Sequence, residues 1–187
     1  MQAALWGRNS EDWAAVQEAT CRVDYEYALS RLRLKPGDRL LDIGCGAGLF
    51  CSMAVAAGAS VTGFDATEAM VEQARRRVPQ ITFFVGDMES LPFEDGSFDV
   101  VTGFNSFQYG ANVPNALGEA RRVLKSGGRL VAMIWGNKAD CEASSYLAAV
   151  GGLLPAPPPG APGPFALTEK NRLEQLLVEC GFKIESS

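Results

Sequence analysis

The chain contains no histidine among its 187 residues. That removes the commonest general base, the commonest metal ligand and any Ser-His-Asp triad. Basic residues are also in deficit. Seventeen Lys and Arg against 22 Asp and Glu leave a net charge of −5, with a pI of about 4.8. Holding a nucleic acid by its phosphates takes clustered Lys and Arg, so no nucleic-acid partner is expected. The run Arg75-Arg76-Arg77 reads as a solvated helix end, where cations suit the macrodipole. No apolar run reaches the roughly 18 residues of a membrane span, so no membrane insertion is expected. The start, MQAALWGRNSEDWA, lacks the basic stretch and apolar block of a secretory signal. Cys21, Cys45, Cys51, Cys141 and Cys180 are scattered, and no Cys-x-x-Cys occurs. A zinc site or redox pair is therefore not expected, and no metal is assigned. Reduced thiols in a cytoplasmic protein are the expectation.

What is present is ordinary for one globular domain: 47% apolar and 21% charged residues. The spacing predicts a helix over residues 9–33, within an N-terminal helical cover spanning 1–34. A Lys-Pro-Gly-Asp turn at 35–38 leads into an alternation. Strands are expected at 39–43, 60–64, 81–85, 98–103 and 129–135. Helices are expected at 47–57, at 67–77 capped by Thr67, and at 113–125, the last followed by a Ser126-Gly127-Gly128 turn. Alternating strands and helices imply parallel crossovers. The fold class is therefore α/β: a three-layer, Rossmann-like open sheet, mostly parallel, with helices on both faces. The nearly all-apolar strands fit a sheet covered on both sides. Residues 136–167 hold six of the ten prolines, in PAPPPGAPGP at 155–164. They read as an insertion, too Pro-rich for sheet or helix, and loops this long are usually functional. A helix over 168–180 and a strand at 182–185 close the pattern.

The first strand ends in LLDIGCGAG, Leu40 to Gly48. Ligands of open parallel sheets sit beyond the carboxyl ends of the strands, so this turn is placed to hold one. A P-loop would end in Gly-Lys-Ser/Thr; here the chain continues Ala47-Gly48-Leu49. A dinucleotide turn would put its third glycine where Leu49 stands, and Asp42 would repel a pyrophosphate while attracting an ammonium. Asp65, in VTGFDAT, ends the second strand where a carboxylate accepts hydrogen bonds from a ribose diol. That fits a dinucleotide and an adenosyl ligand alike. In GDMESLPFEDGSFDVV, Asp87 follows the third strand, placed for an adenine amino group. Met88 can flank the ring and offer its N–H.

The ordered set LLDIGCGAG, VTGFDAT, GDMESLPFEDGSFDVV and RRVLKSGGRLVAMIWG resembles the class I S-adenosylmethionine-dependent methyltransferases, in the small-molecule group filed with ubiquinone and menaquinone methyltransferases. The resemblance is close over Leu34 to Trp135 and loose over the terminal helix. It implies S-adenosyl-L-methionine as cofactor and methyl transfer to a small organic acceptor by in-line displacement. By position, Gly44, Cys45 and Gly46 would approach the methionine part and Asp42 would help hold its ammonium. Asp65 would bind the ribose, with Ala66 and Met70 against the adenine, and Asp87 and Met88 would read the adenine edge. Asn105 would supply a backbone carbonyl near the ammonium. Trp13 and Gln17, on an N-terminal helix of the kind that closes over the cofactor, are further candidates. Met70 also fits the core, Cys45 reads as a small turn residue, and Asp99 as structural.

No catalytic residue is assigned. An acceptor that must lose a proton would look to Tyr25 or Tyr109. Asn105-Ser106-Phe107-Gln108 does not match the Asn-Pro-Pro-Tyr type motif of amino-group methylation, and no Pro-Cys nucleophile is present. Phe104, Phe107, Tyr109 and the 136–167 lid would line an apolar acceptor pocket. The family sheet runs 3-2-1-4-5-7-6, and the seventh strand is not found in 1–187. The fifth strand would then present an open edge. A fragment, an omitted later segment, or a second chain in a homodimer would each account for it. Two other function classes remain: a binding module that holds S-adenosylmethionine without turnover, and an NAD-dependent oxidoreductase, which the glycine spacing and Asp42 disfavour.

Overall fold

A computed structural model describes residues 6–151 and 163–185. Five strands form one parallel sheet in the order β3-β2-β1-β4-β5. They are β1 (Arg39–Ile43), β2 (Ser60–Asp65), β3 (Thr82–Val85), β4 (Phe98–Phe104) and β5 (Leu124–Met133). The central strand β1 pairs β2 on one side, with Ile43 opposite Phe64, and β4 on the other, with Asp42 opposite Thr102. Chain order reverses between β1 and β4, so the crevice at their carboxyl ends is the switch point of the sheet.

The helices are α1 (Arg22–Leu32), α2 (Leu49–Ala56), α3 (Glu68–Arg77), α4 (Val113–Val123), α5 (Ala143–Gly151) and α6 (Arg172–Glu179). Successive strand residues point to opposite faces, and the core divides accordingly. Leu40, Val61, Phe83 and Val100 pack beneath α1, α2 and α3 with Tyr25, Phe50, Cys51 and Ala74. Leu41, Ile43, Phe64 and Val101 pack beneath α4 and α6 with Leu117, Ala120, Val123 and Leu176. Helix α4 shows why such a segment folds. Asn112 accepts from the Asn115 N–H at its start, and Ala116, Leu117, Ala120 and Val123 make one buried stripe.

Four local expectations are corrected. Thr67 makes no side-chain cap; the Asp65 carboxylate accepts the Thr67 N–H instead. Ser126-Gly127-Gly128 is not a free turn but part of a bulge within β5, where the register with β4 shifts between Phe98 and Val100. Residues 136–167 are not devoid of helix, since α5 lies inside them; the Pro-rich stretch 152–162 lies outside the described residues. Residues 182–185 form no strand. A strand needs a neighbour for its ladder, and among the described residues β5 pairs only with β4. Its outer edge faces an open groove that Phe182 and Ile184 border. No helix of the described residues is long and apolar enough to cross a membrane.

Arg122 pins the loop before β4. Its guanidinium donates to the carbonyls of Leu91 and Phe93 and pairs with Glu119 and Asp95. Hydrogen bonds to a charged donor contribute about 1.5–3 kcal/mol each, part of it screened here by solvent. Arg122→Ala is expected to lower stability by about 2 kcal/mol in urea denaturation.

Candidate functional site

The turn after β1 holds three glycines with positive φ: Gly44 (75°), Gly46 (52°) and Gly48 (82°). Gly44 and Cys45 donate their N–H groups to the carbonyl of Phe64 at 2.7 and 3.1 Å. A Cβ on Gly44 would lie 2.3 Å from the Ser106 Cβ, so the turn presses against the loop after β4. A Cβ on Gly48 would lie 3.0 Å from that of Ala74. The glycine one place earlier than in a dinucleotide turn therefore lets α3 pack against the start of α2.

Two acids flank this turn. Asp42 lies beneath it, 2% exposed, where it accepts from the Thr102 hydroxyl at 2.8 Å and the Cys51 thiol at 3.4 Å. Burial pushes its carboxyl up to about 7, with the charges of Asp65 and Glu18 adding to the rise and the two hydrogen bonds opposing it. Asp65 ends β2, its two oxygens accepting from the N–H groups of Gly46 (3.0 Å) and Thr67 (2.8 Å). Its carboxyl too is raised by burial, against those same backbone donors. Each Asp65 oxygen keeps a lone pair for a further donor. The buried Asp42 and half-buried Asp65 carboxyls, both raised, make a site that favours a cation and hydroxyl donors, not an anion.

The N-terminal segment covers this turn. Its helix is not uniform: one α turn (Ser10–Asp12) gives way to a π turn (Trp13–Gln17) and a 3₁₀ turn (Glu18–Cys21) before α1. The π turn changes which residues face the site. Residues five apart stack in it, rather than four. Trp13 and Glu18 therefore both reach Gly46, with Nε1 at 3.5 Å and Oε1 at 3.9 Å from the place its Cβ would take. Gln17, the other candidate on this helix, is exposed. Glu18 is 2% exposed and accepts the Leu49 N–H at 3.1 Å, at the start of α2. It also pairs with Arg77, which donates to the carbonyls of Ala47 (2.8 Å) and Ala14 (3.3 Å). Trp6 stacks edge-on against Trp13 (5.0 Å) and Tyr109 (5.7 Å), joining the cover to the loop after β4.

The remaining candidates lie as follows. Ala66 is exposed beside Asp65, and Met70 is a core residue, 3% exposed. Asp87 is exposed and Met88 half-buried after β3, with the Asp87 carboxylate accepting the Glu89 N–H. Asn105 has a positive φ of 50° and donates its N–H to the Met133 carbonyl. Phe107 does not line a pocket, being fully buried under α4, while Phe104 packs on Tyr25 and Phe50 and borders only the groove along β5. Tyr25 is 7% exposed, and burial holds its phenol well above the ordinary range, so it does not serve as a base. Burial also raises Tyr109. Arg75-Arg76-Arg77 is not simply a solvated end, since Arg77 holds the cover and Arg75 reaches the Phe83 carbonyl. Asp99 is structural, accepting from the Arg39 N–H and Lys125.

A family model described as a methyltransferase domain matches residues 41–132, from β1 into β5. The chain belongs to the class I S-adenosylmethionine-dependent methyltransferases. A 27-O-demethylrifamycin SV methyltransferase of Amycolatopsis mediterranei is 38% identical over 139 residues, 67% of this chain and 51% of that protein. A demethylmenaquinone methyltransferase of Symbiobacterium thermophilum is 38% identical over 114 residues, 56% of this chain and 45% of that one. Haemonchus contortus phosphoethanolamine N-methyltransferase 2, solved with S-adenosyl-L-methionine, superposes with a TM-score of 0.67 at 25% identity, over 85% of this chain and 36% of its own. The chain spans about half the length of these curated relatives.

This methyltransferase site fits the family's cofactor by its donor set. The raised acids suit an ammonium and a ribose diol. The N-terminus of α2, where a dinucleotide fold would receive pyrophosphate, is taken by the chain's own Glu18 carboxylate. Sequence reasoning missed Glu18, Arg77, Thr102 and Ser106. The resemblance pointed to Trp13 and Gln17 on the cover; the π turn brings Glu18 rather than Gln17 to the glycine turn. Thr102 could have been found, since it stands opposite Asp42 once β1 and β4 are aligned.

Proposed function

We propose that the protein transfers the methyl group of S-adenosyl-L-methionine to a small organic acceptor. The carrying observation is the charge arrangement of the turn: Asp42 and Asp65 favour a cationic nucleoside ligand, and Glu18 bars an anionic one from the start of α2. The relatives' small-molecule names support the acceptor class. Asp42 sets the field beneath the methionine amino group. Gly44, Cys45 and Gly46 let the backbone come close. Asp65 takes the ribose hydroxyls, with Ala66 beside the adenine; Asp87 and Met88 take its edge. Asn105 turns its carbonyl toward the ammonium, a role its left-handed backbone suits. Met70 acts from the core by supporting the start of α3.

The cofactor brings a methyl already activated on a sulfonium sulfur. The chain's part is alignment and water exclusion, which can supply roughly 7–11 kcal/mol of a barrier. Trp6, Trp13 and Tyr109 form the roof that excludes water, and residues 136–167 serve as the lid on the acceptor side. Tyr109, kept protonated by burial, donates a hydrogen bond to the acceptor rather than removing its proton. The five free cysteines fit a reducing cytoplasm. The acidic charge fits an acceptor other than nucleic acid, and a second copy in a homodimer would cover the free edge of β5.

Thermal unfolding with S-adenosylhomocysteine, and in parallel with NAD, tests the reading. A ligand at about 100 times its Kd adds roughly 2.7 kcal/mol, a rise of about 5–10 °C for a chain of this size. A rise with S-adenosylhomocysteine alone is expected. A rise with NAD alone overturns the proposal. Binding without transfer of labelled methyl to any metabolite pool would leave a binding module.

A further inference from the structure

We infer that Glu18 and Arg77 form a latch that shuts the N-terminal cover over the glycine turn and sets that turn for the cofactor. The pair is unusual in what it joins. Glu18 sits on the cover, 2% exposed, yet satisfies the Leu49 N–H that begins α2. Arg77 sits at the far end of α3, yet its guanidinium holds the Ala47 carbonyl within the turn and the Ala14 carbonyl within the cover. The cover, the turn and α3 therefore meet at one ion pair.

The π turn makes this meeting happen. A regular helix from Trp13 would aim Gln17 at the turn. The inserted register aims Glu18 there and leaves Gln17 outside. A π turn is a less favourable geometry than the α turn it replaces, and such turns recur at functional sites. Here the turn brings the buried Glu18 carboxylate to the Leu49 N–H and to the partly exposed Arg77. A buried charge left without its partner is strongly unfavourable. The cover is thus tied to the turn by a two-sided contact, and opening it separates Glu18 from Arg77 and from Leu49 together. Both are positioning residues: neither touches the acceptor, and they act through Gly46, Ala47 and Leu49.

The cofactor half of this inference rests on the function proposed above; the cover half does not. The test therefore has two arms, run on the whole chain as wild type, Glu18→Gln, Arg77→Met, Arg77→Lys and the double variant E18Q/R77M. The first arm is amide hydrogen exchange without ligand. Residues 10–21 are expected to exchange about tenfold faster or more in E18Q and R77M, with β1 and β4 unchanged. The second is the Kd and dissociation rate of S-adenosylhomocysteine. Each single variant is expected to weaken binding by roughly tenfold, the double variant no further, and R77K by less, the pattern of two residues acting as a unit. Unchanged exchange over 10–21 in both single variants overturns the latch. Wild-type binding that both variants match overturns its role toward the cofactor. Should the wild type not bind, the function reading falls and takes the cofactor half with it, while the exchange arm still decides the cover. If E18Q does not fold, R77M and R77K, at a partly exposed helix end, carry both arms.

Discussion

Gly44→Ala is expected to destabilise the protein by about 3–4 kcal/mol and to abolish its response to S-adenosylhomocysteine. Two separable effects add. The backbone at Gly44 has φ of 75°, a left-handed conformation that costs an alanine about 1–2 kcal/mol. The new Cβ would then lie 2.3 Å from the Ser106 Cβ and 3.5 Å from its Cα. Overpacking of this kind costs about 1–3 kcal/mol, and relief must come from moving either the turn or the loop after β4. Both loops belong to the site, so the relief itself misplaces the backbone that should meet the ligand. The double variant G44A/S106G separates the two effects. Its clash is gone and only the strained φ remains, so about half of the lost stability should return. Ser106 is a good position for this control, because its buried hydroxyl has no hydrogen-bond partner and its removal leaves nothing unsatisfied. Urea denaturation with and without ligand reads both quantities. A single variant as stable as wild type would mean that the turn is not built as described.

The sheet and the glycine turn could be read from the residues because both follow from local chemistry. Near-continuous apolar strands, their alternation with helices and a glycine-rich turn directly after the first strand are each set by residues close in the chain. The π turn could not be read so. WAAVQE carries no residue that demands five-residue stacking. It goes with the contacts Glu18 makes to Leu49 and Arg77, partners 31 and 59 positions away. The same reasoning explains Phe104 and Phe107. Both follow the switch-point strand, and aromatic residues there suggest a pocket wall. The side chains instead turn into the two opposite core layers, Phe104 against Tyr25 from a distant part of the chain and Phe107 beneath α4. The segment 182–185 has the composition of a strand but pairs with none among the described residues, and composition alone cannot supply a neighbour.

Asp42→Asn is expected to remove most of the pH dependence of both stability and cofactor affinity near neutrality. The Asp42 carboxyl is raised from an unfolded value near 4 to about 7 in the ligand-free protein. For a group raised on folding, its contribution to stability is fully present below the unfolded pKa and is lost as pH rises through the folded one. The ligand-free protein should therefore lose stability between about pH 4 and pH 7, by on the order of 4 kcal/mol relative to D42N, and change little further above that. Asp65 shifts the same way, and Asp99 and Glu119, held low by Lys125 and Arg122, the opposite way. All three titrate in both proteins, so the difference between wild type and D42N reports Asp42 together with its coupling to Asp65. Asparagine keeps the local contacts, accepting from Thr102 and donating toward the Cys51 sulfur. Affinity should move in the reverse sense. The ligand's ammonium group above the turn favours the ionised carboxylate, so wild-type binding of S-adenosylhomocysteine should strengthen with pH up to about 7 and then level off, with a proton released on binding below that. Calorimetry at pH 6 in two buffers of different ionisation enthalpy counts that proton. D42N should release less and bind more weakly. Equal proton release in the two proteins would show that the buried acid beneath the turn takes no part in holding the cofactor's charge.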